Sequence, residues 1–272
     1  HCQLTKLESK LFCSCKADYR EFEPNTNICP VCMGIPGSLP LLNKSAVEKA
    51  TLIAMALDCN TPAKIAFFRK NYFYPDLPKG YQTTQLEKPI VGRGAVAIQL
   101  ADGSTKSIRI HHAHLEEDAG KSVHEGDLPL GSSGVDLNRA GTPLIEIVSE
   151  PDMSNAEEAI SFAKKLHSIV TSIGICDGEM SQGSMRFDVN VSVRPTGTTE
   201  LGTRTETKNL NSYKFMEEAI AKEVERQIDL IEDGGTILQE TRLYNGDTKV
   251  ARSMRSKEEA NDYRYFPCPD LL

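Results

Sequence analysis

Four cysteines crowd into residues 13–32 as Cys13-x-Cys15, a polar loop, and Cys29-x-x-Cys32. Nothing else in the chain constrains its fold so narrowly. Two close pairs on either side of a loop suit a tetrahedral zinc site, because each pair can offer two thiolates from one tight turn. The loop, residues 16–28, holds Pro24 and two asparagines and has little apolar content, so a metal would be what holds it shut. An iron–sulfur cluster also takes four cysteines, and free thiols or disulfides satisfy the same spacing. The other four cysteines, Cys2, Cys59, Cys176 and Cys268, are scattered singly and read as core or surface thiols. Metal-type pairs with no visible signal peptide favour a reducing cytoplasm or an organelle matrix.

The rest of the chain reads as an ordinary folded domain. Its 272 residues are 39% hydrophobic and 25% charged, too apolar for a disordered chain. The net charge of −7 excludes a globally basic nucleic-acid coat; binding to RNA would need local patches. No apolar run approaches the roughly 20 residues that a bilayer needs. The chain starts at His1 rather than Met and stops after a Pro-rich turn, as a piece cut from something longer would.

Periodicity predicts a mixture of helices and hairpins. Residues 45–57 read as a helix with Ser45 at its N-cap. Residues 95–100 and 107–110 alternate around Asp102-Gly103, a hairpin with a positive-φ turn. Ser154-Asn155-Ala156-Glu157 reads as a capping box. It opens a helix with a stripe of Ala159, Ile160, Ala163, Leu166, Ile169, Val170 and Ile173, ended by Gly174. Asn211 or Ser212 opens a longer helix with Phe215, Ala219, Ile220, Val224, Ile228 and Ile231 on one side. Amphipathic helices interspersed with hairpins argue for an α+β fold with an antiparallel sheet core and packed helices. Residues 121–133, Gly-rich and acidic, form a flap or a surface connection.

Some strands carry a chemically dense face. In residues 185–195, Phe187, Val189, Val191 and Val193 alternate with Arg186, Asp188, Asn190, Ser192 and Arg194. An extended 201–210 would align Arg204, Glu206 and Lys208. Glu146 is a lone carboxylate within the apolar run Leu144-Ile145-Glu146-Ile147-Val148, which calls for a basic neighbour or a hard cation. His111, His112 and His114 precede the triplet Glu116-Glu117-Asp118, whose members repel one another unless a cation or basic group lies close. Mostly oxygen ligands with histidine suit Mg²⁺ or Mn²⁺; alone, the triplet also reads as a solvated turn. Residues 69–82 mix Arg69, Lys70 and Lys79 with Tyr72, Phe73, Tyr74 and Tyr81, and Met254-Arg255-Ser256-Lys257 followed by residues 262–266 is similar; cations bind phosphate and aromatic faces stack on bases. Neither a P-loop nor a Gly-x-Ser-x-Gly elbow occurs.

Residues 69–82, 114–121 (His-Leu-Glu-Glu-Asp-Ala-Gly-Lys), 138–152, 183–195, 206–212 and 254–270 together resemble the B-subunit family of aspartyl/glutamyl-tRNA(Asn/Gln) amidotransferases, in order along the chain. The resemblance implies the catalytic "cradle" domain over 1–272, with a zinc-binding loop at 13–32; the helical and tail domains that bind tRNA would lie beyond Leu272. It implies a carbon–nitrogen ligase that moves the γ-phosphate of ATP to the side-chain carboxylate of Glu or Asp mischarged on tRNA(Gln) or tRNA(Asn). Ammonia released from glutamine by the amidase partner, the A subunit, then displaces the phosphate. A small C subunit joins the pair to make a heterotrimer.

The family pattern places Mg²⁺ on His1, Glu117 and Glu146 with Glu116 nearby, its further glutamate falling outside this chain. Cys13, Cys15, Cys29 and Cys32 match the branch with structural zinc. Glu116, Glu117, Glu146, Lys79 and Arg186 are then catalytic, with Lys79 and Tyr81 facing phosphates or the tRNA end. Asp188, Asn190, Glu206 and Lys208 line the cleft with Arg186, to relay ammonia or simply as a salt-bridge network. Ser181-Gln182 departs from the family, which often has two glutamates there. The rival readings are the E subunit of an archaeal glutamyl-tRNA(Gln) amidotransferase, a non-catalytic zinc RNA-binding module and a scaffold for an amidase.

Overall fold

A computed structural model describes residues 1–124, 126, 128–256 and 260–271. The chain runs β1 (Cys2–Gln3), α1 (Lys44–Ala56), β2 (Phe68–Asn71), β3 (Tyr81–Thr84), β4 (Gly94–Gln99), β5 (Thr105–Glu117), β6 (Lys121–Val123), β7 (Gly134–Asp136), β8 (Pro143–Ser149), α2 (Ala156–Ser172), β9 (Phe187–Val191), β10 (Thr205–Leu210), α3 (Tyr213–Glu232), β11 (Glu240–Asn245), β12 (Val250–Ser256) and β13 (Phe266–Pro267). One sheet has the order β1-β8-β5-β4 and is antiparallel throughout. A second has the order β12-β11-β10-β9, and there β10 and β11 run parallel, an exception to the expected antiparallel pattern. A parallel pair needs a crossover, and α3 provides it. Smaller sheets are β13-β2-β3 and β6-β7.

The predicted hairpin forms between β4 and β5. Val96, Ile98, Ile108 and Ile110 point into the core, and Gly103 turns the chain at φ +83°. β5 then continues well past residue 110. The His and acidic run is therefore strand, not a solvated turn, and Glu116, Glu117 and Asp118 are buried.

Helix α2 is shared between two cores, which explains its wide apolar stripe. Phe162, Leu166 and Val170 pack into the core of the first sheet, and Ala163 with Ala159 and Ile160 into that of the second. Its N-cap is Asn155, whose side chain accepts from Glu158 N at 2.9 Å, while Glu158 accepts from Ser154 N at 2.7 Å. The capping box is thus displaced one residue from the expected Ser154–Glu157 pair. Helix α1 likewise begins on Asn43, not Ser45, because the Asn43 carboxamide reaches both Ser45 N and Ala46 N.

Helix α3 starts on Ser212 as expected, then departs from its predicted stripe. Its buried positions are Met216, Ala219, Ile220, Glu223 and Gln227, leaving Ile228 and Ile231 exposed. Glu223 wins its burial by accepting from Thr205, Gln227 and Arg226. The flap region forms the β6–β7 hairpin; residues 125 and 127 of that prediction, and Lys257 of the second cation–aromatic segment, lie outside the described residues. Among the described residues, no helix is long and apolar enough to cross a membrane.

Candidate functional site

Three strands of the first sheet set the geometry of a histidine–carboxylate centre. Across β5 and β8, His114 faces Glu146 in register. Cys2 pairs with Ile145 on the other side of β8, which brings His1 alongside Glu146. Glu116 lies two residues beyond His114, on the same side of β5. The result is a compact group. His1 Nδ1 stands 3.6 Å from Glu116 and 3.7 Å from Glu146, and His114 Nε2 stands 3.3 Å and 3.4 Å from the same two carboxylates. Ligand atoms of His1, Glu116 and Glu146 all lie within 4.8 Å of one another, so these three could hold one hard cation.

The second sheet closes this centre. Arg186 N donates to His1 O, which leads β9 alongside β1. Asp188 then reaches His1 Nε2 at 3.2 Å and Lys208 Nζ at 3.0 Å. Lys208 is also 3.9 Å from Glu206, which accepts from the Thr241 hydroxyl at 3.0 Å. Asn190 faces Glu206 across β9 and β10 and is exposed. His1, Asp188, Lys208 and Glu206 therefore form a row of alternating polarity between the sheets.

Charge in the centre is balanced internally. Glu116 is held well below the usual carboxylate range: burial opposes its ionisation, and hydrogen bonds from His1 and His114 outweigh that. Glu146 is lowered against burial by the same two histidines. His114 is pushed up to about 9, its hydrogen bonds to Glu116 and Glu146 overcoming burial. His112 goes the other way, to about 4, through burial and the positive charge of His114 and His111. The three rings touch in sequence, His111 Nδ1 to His112 Nδ1 at 2.6 Å and His112 Nε2 to His114 Nδ1 at 3.0 Å, running from the exposed His111 inward. A cleft of about 270 Å³ opens onto His112, His114, Glu116 and Glu146, walled by Lys70, Thr84 and Tyr265.

Each acid of the triplet has its own partner. Asp118 takes Gln3 at 2.7 Å and Arg186 at 3.0 Å, with Arg139 at 3.9 Å. Glu117 pairs with Lys79 and accepts from Thr83 N at 3.2 Å. This departs from the expected metal set: Glu116, not Glu117, stands with His1 and Glu146, and the Glu117 charge is already met by an ammonium. Lys79 is half-buried and tied to Glu117, its Nζ 5.7 Å from the Phe12 ring and 5.1 Å from that of Tyr81. Tyr81 is stacked beneath Arg69 at 4.2 Å. Arg186 is tied to Asp118. Sequence reasoning passed over Gln3, Thr84 and Arg139, and did not single out His114 or Asp118 as site residues. The period-two run His112, His114, Glu116 was the signal for His114.

The four cysteines converge as well. Their sulfurs all lie within 4.8 Å of one another, and all four are free thiols. One tetrahedral ion bound at about 2.3 Å would hold its sulfurs roughly 3.8 Å apart, so the group fits a single metal ion. A cluster shares its thiolates among several irons and spreads them wider. Cys32 is pulled down to about 4 by the Cys13 hydrogen bond, with help from the charge on Lys10 against burial. Cys15 is pushed up to about 11 by burial and by the charge of Cys32.

Two sheets sharing a helix, a histidine–carboxylate centre at their junction and a separate four-thiol knuckle define an α+β domain of the cradle type. The chain belongs to the GatB/GatE catalytic domain family, whose match covers residues 1–272. It is 70% identical over its full length to the B subunit of the aspartyl/glutamyl-tRNA(Asn/Gln) amidotransferase of Alcanivorax borkumensis, and 66% to that of Cellvibrio japonicus. The corresponding protein of Pseudomonas aeruginosa is 57% identical over the same 272 residues. The chain covers 56% of each of these proteins, so it spans about half the length of the curated relatives it matches.

Proposed function

We propose that this chain is the carboxylate-activating part of the B subunit of a tRNA-dependent amidotransferase. Its substrates would be ATP and Glu or Asp mischarged on tRNA(Gln) or tRNA(Asn). The side-chain carboxylate takes the γ-phosphoryl group. Ammonia released from glutamine by the amidase, or A, subunit then displaces phosphate, and a small C subunit holds the complex together. The observation that carries the reading is the pair Glu116 and Glu146, each within 3.7 Å of both His1 and His114 and lining a polar cleft.

The chemistry asks for such a site. A carboxylate is a poor acyl donor until it is given a leaving group, and its attack on a nucleoside triphosphate brings two anions together. Mg²⁺, held by His1, Glu116 and Glu146, would supply the neutralising charge. With Mg²⁺ bound, His1 would offer a neutral ring nitrogen, which leaves His114 as the proton donor beside Glu116 and Glu146. Lys208 adds a cation at the edge of the centre. The row His1, Asp188, Lys208, Glu206 and Thr241 offers alternating acceptors and donors to a small neutral molecule such as ammonia.

Zinc suits the knuckle of Cys13, Cys15, Cys29 and Cys32, and its role would be structural because four thiolates leave no open position. The tRNA-binding helical and tail domains would occupy the remaining length of the full protein. A zinc-binding thiolate knuckle fits a reducing compartment such as the cytoplasm.

The test uses the full-length protein with its amidase partners, Glu-tRNA(Gln), [γ-³²P]ATP and Mg²⁺, without an amide donor. Labelled phosphoryl-glutamyl-tRNA is expected from wild type and absent from Glu146→Gln. A wild type that binds the tRNA but never transfers label overturns the reading.

A further inference from the structure

Lys10 is completely buried, and among the described residues no carboxylate pairs with it. Its ammonium donates to the Asn27 carbonyl at 2.9 Å and lies 3.6 Å from the Cys32 sulfur. An ammonium removed from water with only neutral acceptors is costly, so this position calls for an anion. The four-sulfur group is the anion that the fold brings to it. Four thiolates around one divalent cation carry a net charge of two minus, and the ammonium halves it.

The surroundings are built to keep the ammonium there. Lys10 N donates to Cys15 O at 2.8 Å, so one residue grips both cysteine pairs. Asn27, which accepts from the ammonium, is itself fixed by Lys16 at 2.9 and 3.0 Å and by Asn138 at 2.8 Å. Gly141, at φ +87°, packs against the pair; a Cβ there would stand 3.3 Å from Cys32 Cβ and 3.4 Å from Lys10 Cδ. Cys32 also accepts from Cys29 N at 3.2 Å, so two donors converge on one sulfur.

We propose that Lys10 is the built-in countercharge of the four-cysteine metal centre: its ammonium holds the Cys32 thiolate and raises the affinity of the site for a divalent metal. This rests on the metal-binding reading of the knuckle given above. Lys10 is a positioning and charge-compensating group, not a ligand. Outer partners of metal ligands of this kind change affinity by roughly 10- to 100-fold when removed.

The test loads the full-length protein with Zn²⁺ or Co²⁺ and measures affinity by competition with a chromophoric chelator. Wild type is expected to take up one ion per chain with a tetrathiolate cobalt spectrum. Lys10→Met should bind at least tenfold more weakly, with its sulfur-to-cobalt band moved to lower energy because Cys32 becomes more electron-rich. Lys10→Arg, which keeps the charge, should recover most of the affinity. Equal affinity and an unshifted band in Lys10→Met overturn the role of Lys10 and leave the metal site standing. A wild type that binds no metal overturns both. Should the variants not fold, ¹⁵N-lysine spectra of wild type decide: an exchange-protected ammonium resonance that moves when the metal is chelated supports the proposal, and protected resonances indifferent to metal overturn it.

Discussion

The cysteine knuckle and the histidine–carboxylate centre each gather donor atoms within 4.8 Å, yet they are assembled in opposite ways. All donors of the knuckle lie within residues 13–32, on two turns joined by one loop. The other centre draws His1 from the start of the chain, Glu116 from β5 and Glu146 from β8, with Asp188 and Lys208 brought in by a second sheet. A local group needs only its own turns to form. The distributed centre exists only once β1, β8, β5, β9 and β10 have found their registers. The two regions still touch: Gly34, just after the second cysteine pair, packs on Lys79, whose ammonium meets Glu117, next in sequence to Glu116.

The sharpest test of the contrast is at Glu146. On the proposed function, Glu146→Gln should lower transamidation by on the order of 1,000-fold, since a carboxylate that held the neutralising cation would be worth several kcal/mol in the transition state. Metal content of the knuckle should stay unchanged, as elemental analysis of the same preparation would show. Comparable loss from both regions would break the separation between them.

Glu117→Gln should behave differently from its neighbour. It leaves the half-buried Lys79 ammonium without its partner and should cost about 3 kcal/mol of unfolding free energy, read by urea denaturation. Its Mg²⁺ affinity by calorimetry should stay near wild type, whereas that of Glu116→Gln should fall. Equal Mg²⁺ losses would restore Glu117 to the metal set.

A similar cost, about 3 kcal/mol, is expected for Glu223→Gln, which removes the partner of Arg226 and Arg242. Burial raises the Glu223 carboxyl, but hydrogen bonds from Arg226, Thr205 and Gln227 leave it below its ordinary 4.5. The stability it contributes is therefore present above that value and lost as pH falls through its folded pKa. Denaturant melts between pH 7 and pH 3 should show a shallower acid loss in the variant than in wild type.

Gly34→Ala probes the contact between the regions. At φ +68°, with a new Cβ 2.5 Å from Lys79 Cγ and 3.0 Å from its Cα, it should cost about 2 kcal/mol and lower transamidation modestly by displacing Lys79. An unchanged enzyme would show the regions to be independent. The smallest effect belongs to Asn43→Ala, about 1 kcal/mol in thermal melts from the lost N-cap of α1, with the cysteine knuckle and the histidine–carboxylate centre intact.

The sequence carried some features almost completely. Spacing alone marked Cys13, Cys15, Cys29 and Cys32, and period-two alternation marked the β4–β5 hairpin and the polar face of Asp188 and Asn190. Family resemblance supplied His1, Glu117 and Glu146, with Glu116 nearby. What was misread had a common cause. Ile228 and Ile231 fit the stripe of α3, but the sheet beneath offers Thr205 and Arg242, so polar Glu223 and Gln227 were buried instead. Taken alone, the acidic triplet also read as a solvated turn because its counterions come from elsewhere: Lys79 and Arg186 from distant loop positions, His114 from further back along β5.

The amino-acid sequence by itself determined which residues alternate, roughly where the helices lie and which four sulfurs share a loop, because those are interactions between near neighbours. Only the tertiary structure decided that Glu116 rather than Glu117 stands with His1 and Glu146, and that Lys10 lies buried against Cys32. Both depend on registers and packing between segments far apart in the chain, where the partner that answers a buried charge is set by which strand lies alongside.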